Sequence, residues 1–564
     1  MTKNSENLSH IIPTIEDWPI SQFSQDRDEF IQRLIDYTMN RLLQSNSNPY
    51  EILSKTLYLE RQRVKNNPWA VDPQDEKIYL KTLTKELEDT KNAEDPAQEE
   101  LKILRRLVHR YSEEIIGFFL PKTHRFARRF LTSFFKRIFN NGWGRGQRWI
   151  WGNKKDLLRK IKVDGHVEEL RALFEKGTVV IVPTHYSNLD SIMIGYGLDM
   201  KASIPAFAYG AGLNLYDYEI LAYFMNRLGA YRVDRRKKNP IYLETLKSMA
   251  SLSLIEGLNH IFFPGGTRSR SGAIEDKLKL GLLNSVIDAQ RHCIVNDIDQ
   301  KIFVIPLALG YHFVFEAYGL TNQHLKIIGR EKFTRKRKSD SILKTILTFL
   351  RLLRRHDSEV YLSFGRPMDV LGNYVDKDGE SYDERGKKLN IEKYFSLEDV
   401  PNQDTQRESV YTRILAEKIV HSFKAENIIL SSHLLAFVVF NIIKNQNPEL
   451  DLFDLLKISI KEIRIPIEDV VDLIGYYQKI LNEKYKQGEV KLSEPLKEDA
   501  MGCFKDGMRN VGIYHTRKVL KLMDRKHVGT EDLRLLYYYH NKMKHYELPV
   551  DRPNLNEIIH TDQL

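Results

Sequence analysis

The chain opens with about two dozen polar residues broken by two prolines, which predict a loose tail. From about Asp26 to Glu114 the apolar positions fall at helical spacing. Phe30, Leu34, Ile35, Tyr37, Met39 and Leu42 share one stripe, and Leu101, Leu104, Val108 and Tyr111 form another after a helix start at Asp95-Pro96. The texture changes between about 156 and 370. Short β-rich runs at 178–183, 203–208, 260–263, 302–309, 324–328 and 359–364 alternate with helical stretches at 188–199, 214–228, 240–257 and 277–292. Strands and helices alternating at that length predict an α/β domain, a mixed sheet flanked by helices, with helical N- and C-terminal regions on either side.

Residues 372–408 are charged and turn-rich, with Asp376-Lys-Asp-Gly-Glu380, and predict a loop or linker. From 409 onward the pattern is helical. The expected division is therefore 1–114, 115–155, 156–371, 372–408 and 409–564. Ile428 to Ile443 is the most apolar stretch, but it is short for a membrane span and carries Ser431, Ser432, His433 and Asn441, so it predicts a buried core helix.

Composition narrows the class. A length of 564 residues calls for two or three domains, and 42% hydrophobic content is enough to pack them. Two cysteines, Cys293 and Cys503, exclude a disulfide framework and fit a reducing compartment. The polar start, Met-Thr-Lys-Asn-Ser-Glu-Asn, shows no apolar core of a signal peptide, and no spanning helix is expected.

Candidate chemistry gathers at strand ends. His185 and Asp190 follow the apolar run Thr178–Val182, and a histidine at a strand mouth with an aspartate five residues on can form a base and the group that orients it. The same spacing recurs at His292/Asp297 and His527/Asp532, but inside or beside charged segments with no buried strand to present them. Ser187 or Asn188 is placed to cap the following helix. No nucleophilic serine or cysteine sits in a recognisable elbow nearby, so direct attack by a deprotonated substrate hydroxyl is the natural reaction. Downstream, His260–Phe263 runs into Gly265, Gly266, Thr267, Arg268, Ser269 and Arg270, where glycines admit an anion to backbone amides and arginines bind phosphate. Between the two lies Gly229-Ala-Tyr-Arg-Val-Asp-Arg-Arg236, a second arginine cluster that contains Arg235.

In this order His185-x4-Asp190, Ala211–Leu215 with Gly229–Arg235, Phe263–Arg270 and Val304–Ala308 resemble the four blocks of the glycerolipid acyltransferase superfamily. The chain looks most like the long bacterial and mitochondrial glycerol-3-phosphate acyltransferases. Arg-Ser-Arg in the third block, Arg335–Lys338 followed by the helical run Ile342–Leu353 and Val360–Pro367, and the large helical C-terminal extension all point to that branch. The resemblance covers about 178 to 370.

It implies that His185, oriented by Asp190, takes the proton of the 1-hydroxyl of sn-glycerol 3-phosphate while Arg235, Arg268 and Arg270 hold the phosphate. Lys279 is a further phosphate candidate by its place in the family pattern. The alkoxide attacks an acyl thioester carried by coenzyme A or acyl carrier protein, backbone amides stabilise the oxyanion, and no metal or redox cofactor is required. Lysophosphatidate and dihydroxyacetone phosphate are the alternative acceptors. One position departs from the pattern: Gly265 stands where the family has a glutamate assigned to organising the substrate loop. A shifted acceptor preference, or an inactive paralogue that binds lipid or acyl carrier, are what that departure allows.

An acyl product partitions into bilayers, and the segment 115–155 has the composition of a surface helix. It contains no acidic residue from Ile115 to Lys155, and Phe126, Phe130 and Phe134 recur at helical spacing among Lys122, Arg125, Arg128, Arg129, Lys136 and Arg137, followed by Trp143. Such basic aromatic helices lie in the headgroup layer of anionic membranes, so peripheral attachment to a cytoplasmic membrane face is expected. No nucleic-acid fold motif accompanies the basic run Arg335–Lys338, and nucleic acid is not an expected partner.

Overall fold

The computed structural model describes residues 8–44, 48–69, 71–139, 154–213, 216, 219–329, 359–397, 400–401 and 404–549. At its centre is a seven-stranded mixed sheet built from β1 (Ile161–Gly165), β2 (Gly177–Pro183), β3 (Ala208–Gly212), β4 (Ala230–Val233), β5 (His260–Ile261), β6 (Lys301–Tyr311) and β7 (Val360–Phe364). Their order is β1-β7-β6-β2-β5-β3-β4. From β6 to β4 the strands run parallel, while β7 pairs antiparallel with β6 and parallel with β1. Helices flank the sheet, and the terminal regions are largely helical, which is the predicted α/β class.

The two faces of the sheet are covered by opposite ends of the chain. Side chains alternate along a strand, so Val179 and Ile181 of β2, with Ile305, Leu307 and Leu309 of β6, join a core with Leu434, Leu435 and Tyr539 of the C-terminal region. Val180, Val182, Ile302 and Val304 face the other way. They meet the helices Pro240–Ile255 and Leu280–Val295, over which Phe30, Leu34, Leu104 and Tyr111 of the N-terminal region close a second core. The helix Ser431–Asn445 is buried from Ser431 to Ile443. Two of its polar atoms find partners inside the protein: His433 Nε2 meets the Tyr311 carbonyl at 3.0 Å and Asn441 Oδ1 meets His540 Nε2 at 3.2 Å. Among the described residues no helix is long and apolar enough to cross a membrane.

Three expectations are corrected. The run 324–328 is not a strand but the end of the helix Ala317–Ile328, whose buried positions Ala317, Leu320, Thr321 and Leu325 follow a helical period. Ile327 and Ile328, which suggested a strand, are half exposed at its end. The run 203–208 is extended only on approach; ladder pairing begins at Ala208, where neighbours on both sides become available. The charged stretch 372–408 is not a free linker. Tyr374–Val375, Ser381–Tyr382 and Lys388–Leu389 form a small antiparallel sheet. Asp376 and Asp383 each accept two backbone N–H groups in its turns, and Gly379 and Gly386 take positive φ. The Asp-x-x-Gly signals marked hairpin turns.

Candidate active site

β2 ends at Pro183, and Thr184 is locked to β6 in both directions: its N–H donates to the Leu307 carbonyl at 2.9 Å and its hydroxyl accepts from the Leu309 N–H at 3.0 Å. The next residue, His185, is thereby aimed off the carboxyl edge of the sheet, where α/β proteins place their ligands. Asp190 is the first residue of the helix Asp190–Gly197 and is fully buried.

One Asp190 oxygen, Oδ2, accepts from His185 Nδ1 at 2.8 Å, from the Tyr186 N–H at 2.6 Å and from the Ser187 N–H at 2.9 Å. The other, Oδ1, accepts from the Tyr311 hydroxyl at 2.9 Å. A carboxylate only accepts, so Nδ1 carries the proton and Nε2 keeps the lone pair of a base. Burial, followed by the charge of Asp190, raises the Tyr311 hydroxyl well above its usual pKa, which keeps it a donor. The His185 ring packs on Phe263, with centroids 4.3 Å apart, and its carbonyl accepts from the Ser269 N–H at 2.7 Å. The dyad is thus tied directly to the arginine loop.

His185 lines a cavity of about 210 Å³ that Arg235, Arg268 and Arg270 line as well. Arg235 opens onto this cleft, yet the walls withdraw water from it; that desolvation, then the charges of Arg268 and Arg270, lowers its pKa. Arg268 already pairs with Glu316, and the remaining positive charge of Arg235 and Arg270 suits an anion in the cavity. A general base in such a cavity suits proton removal from a hydroxyl on a phosphorylated substrate.

Residues 160–310 match the family model described as Acyltransferase. The chain is 28% identical to the glycerol-3-phosphate acyltransferase of Aeromonas hydrophila over 296 residues, 52% of this chain and 32% of that protein. It is 26% identical over 361 residues to the protein of the same name from Pseudoalteromonas translucida, 61% of this chain and 39% of the other. The one from Hamiltonella defensa is 27% identical over 256 residues, 45% and 28%. Residues 160–310 are thus similar to an acyltransferase domain, and the chain around them is similar to proteins named glycerol-3-phosphate acyltransferase. The chain spans about a third of the length of these curated relatives.

Within this acyltransferase domain, other candidates fall in different places. Thr267 lines the cavity. Ser269 is structural: its hydroxyl donates to the Ala273 carbonyl at 2.7 Å and accepts from the Gly272 N–H at 3.2 Å. Gly266 turns at φ 69°, and the Lys279 stem packs beside it. Lys279 itself is exposed and does not line the cavity. Arg236, in the second cluster, pairs with Asp234 and Asp72 instead of facing the cavity. Ser187 and Asn188 do not cap the helix, whose N-cap is Leu189; the Ser187 hydroxyl accepts the Leu189 N–H at 3.2 Å instead.

The departure at Gly265 has a local explanation. A Cβ there would fall on the carboxylate of Glu275, which fills that space from ten residues downstream. Burial, reinforced by the charge of Asp190, raises Glu275 to about 8.

The sequence reading missed Glu316. Its carboxylate accepts from the Asn188 N–H at 3.0 Å, the Ser187 hydroxyl at 2.9 Å and Arg268 at 3.1 Å, strapping the dyad loop to the arginine loop. Its position five residues past the end of β6 was the available signal.

In the helix Pro121–Phe139, Phe126 and Phe130 are 58% and 55% exposed and their rings stack 6.5 Å apart. Phe134 continues the ladder at 6.2 Å and packs against the core. Arg129 is exposed, whereas Arg128 grips Asp199 with two hydrogen bonds. The Arg137 side chain, Trp143, Arg335–Lys338 and Ile342–Leu353 lie outside the described residues.

Proposed function

We propose that the chain transfers a fatty acyl group from an acyl thioester to the 1-hydroxyl of sn-glycerol 3-phosphate, giving 1-acyl-glycerol 3-phosphate. The observation that carries this is a cavity lined by His185, which Asp190 orients, together with Arg235, Arg268 and Arg270. The arginines hold the phosphate. Nε2 of His185 takes the hydroxyl proton as the oxygen attacks the thioester carbonyl, and Asp190 stabilises the imidazolium that forms. Collapse of the tetrahedral intermediate expels the thiolate of coenzyme A or acyl carrier protein, which His185 protonates. The two substrates suffice, with no metal or redox cofactor.

The lipid product leaves toward a membrane surface. Phe118, Leu120 and Tyr223 join Phe126 and Phe130 as exposed large apolar side chains, with Lys122 and Arg129 exposed among them. Phe126 stacks at 5.9 Å on Phe224, which precedes the cavity residue Met225 on the helix Glu219–Met225. This face rests on the anionic cytoplasmic surface of a membrane, beside the cavity mouth.

The test is acyl transfer to labelled glycerol 3-phosphate with acyl-CoA and acyl-carrier-protein donors in parallel. Labelled lysophosphatidate that disappears in His185→Ala supports the assignment, and Arg268→Ala should raise the KM for glycerol 3-phosphate. Acylation of lysophosphatidate alone would move the reaction to the second acylation, and silence on both acceptors would refute it.

A further inference from the structure

The helix Leu533–His540 and the turn Asn541–Tyr546 pack against the catalytic blocks. The Tyr538 carbonyl sits where a side chain at Gly272 would stand, and Gly272 turns at φ 90° to admit it. Asn541 donates to the Ser271 carbonyl at 3.0 Å, and the Tyr539 hydroxyl accepts the Val314 N–H at 2.9 Å. This segment therefore touches the arginine loop and the residues just past β6 at once.

Its most unusual member is Lys542. The side chain is 2% exposed, and Nζ lies 2.8 Å from the centroid of the Tyr186 ring, with the Tyr538 ring at 5.8 Å. Tyr186 stands between His185 and Ser187, and its own N–H is one of the three donors to Asp190 Oδ2. Charged and titratable groups reach Lys542 from several elements: Asp190 from the helix that begins there, His433 from the buried helix, and His545 from its own segment. Burial keeps both histidines neutral, pushing His433 well below its usual value and His545 to about 3. Burial likewise lowers the lysine, and Asp190 is the charge that opposes this. A buried ammonium weakens a fold, and fold stability alone would favour an apolar side chain of the same length there.

We propose that Lys542 is a positioning residue of the acyl-transfer site: its ammonium, seated under Tyr186, offsets the buried charge of Asp190 and holds the 185–187 loop, so that the C-terminal helical region completes the catalytic centre. This rests on the acyl-transfer reading above. Loss of the lysine leaves the charge of Asp190 without that partner, and the ring that Asp190 orients is where the loss is read.

The experiment uses the full chain with Lys542→Met and Lys542→Gln. The pH dependence of His185 ethoxyformylation by diethyl pyrocarbonate, followed on its peptide by mass spectrometry, needs no turnover. Its midpoint should rise by about one pH unit in both variants. The kcat should fall about tenfold or more, with the KM for glycerol 3-phosphate within threefold of the parent and a Tm no lower. An unmoved His185 midpoint in variants that stay folded would overturn the proposal, whatever the activity. Should the parent protein acylate neither acceptor, the acyl-transfer reading falls, while the midpoint still decides the role of Lys542.

Discussion

Asp190→Asn isolates the charge of the dyad from its geometry. The carboxylate receives three donors on Oδ2 and the Tyr311 hydroxyl on Oδ1. An asparagine fits one way only: its oxygen must face the two backbone N–H groups and the ring, and its NH2 must face Tyr311, whose hydroxyl can rotate to accept. The fold and the histidine tautomer are kept, and the negative charge is removed. In the parent the imidazolium forms 2.8 Å from an Asp190 oxygen. Taking about 4 Å between charge centres and an effective dielectric near 20, the lost attraction is about 4 kcal/mol. One decade of rate costs about 1.4 kcal/mol, so kcat should fall about 10³-fold. The KM for glycerol 3-phosphate should hold, because Asp190 is buried and does not itself line the cavity with the arginines. The imidazolium loses a stabilising neighbour, so the acid limb of the kcat/KM profile should move down by a pH unit or more. Thiol release from acyl-CoA is a suitable assay, since both cysteines of the chain are buried. A kcat within tenfold of the parent, or an acid limb displaced upward, would refute the base-and-orienter reasoning.

Other expectations follow from burial and packing. Burial pushes His312, His515 and His540 down to about 4 and His545 to about 3. They stay neutral when folded and bind protons when unfolded, so their contribution is intact above pH 6.5 and is lost as pH falls toward 4, by up to roughly 1.4 kcal/mol per unit for each; a Tm unchanged from pH 7 to 5 would contradict this. Glu275, raised to about 8, has the opposite sign: its stability is present below 4.5 and lost as pH rises toward 8. Glu275→Gln should therefore match the parent Tm at pH 4.5 and exceed it at pH 7, by an amount corresponding to roughly 3 kcal/mol. Gly265→Ala puts a methyl on the Glu275 carboxylate and should cost about 1–3 kcal/mol of overpacking along with activity; the double variant with Glu275→Ala should recover both, and failure to recover would rule out the steric cause. Phe126→Ser with Phe130→Ser removes two rings more than half exposed, each worth roughly 2 kcal/mol when buried. Sedimentation with phosphatidylglycerol vesicles should weaken at least a hundredfold, and unchanged sedimentation would remove the aromatic helix from the membrane face.

The sequence alone pointed to the α/β class, because short β-rich runs such as Thr178–Val182 and Ile302–Leu309 alternate with helical stretches between about 156 and 370. It also singled out His185 and Asp190, since a strand end with a five-residue spacing is a local pattern, and Arg235, Arg268 and Arg270, since arginines beside glycines at strand ends are local too. Where local pattern was ambiguous it misled. Leu325–Ile328 has the composition of a strand but is the end of a helix, because the buried period begins eight residues earlier at Ala317. Residues 372–408 read as a loop or linker, because strands of two residues, such as Tyr374–Val375 and Ser381–Tyr382, have no period to detect.

Tertiary structure decided everything that depends on distant residues meeting. It sent Arg236 to Asp72 and left Arg235 on the cavity, a choice that two adjacent arginines do not encode. It put Glu275 into the space above Gly265, brought Glu316 onto both the dyad loop and Arg268, and carried Lys542 from the far end of the chain to a position beneath Tyr186. The physical reason is common to all four. Periodicity and turn chemistry act over a few residues and are written in the order of the chain, whereas the environment of a charge is set by whichever groups the packed cores bring within a few ångströms of it.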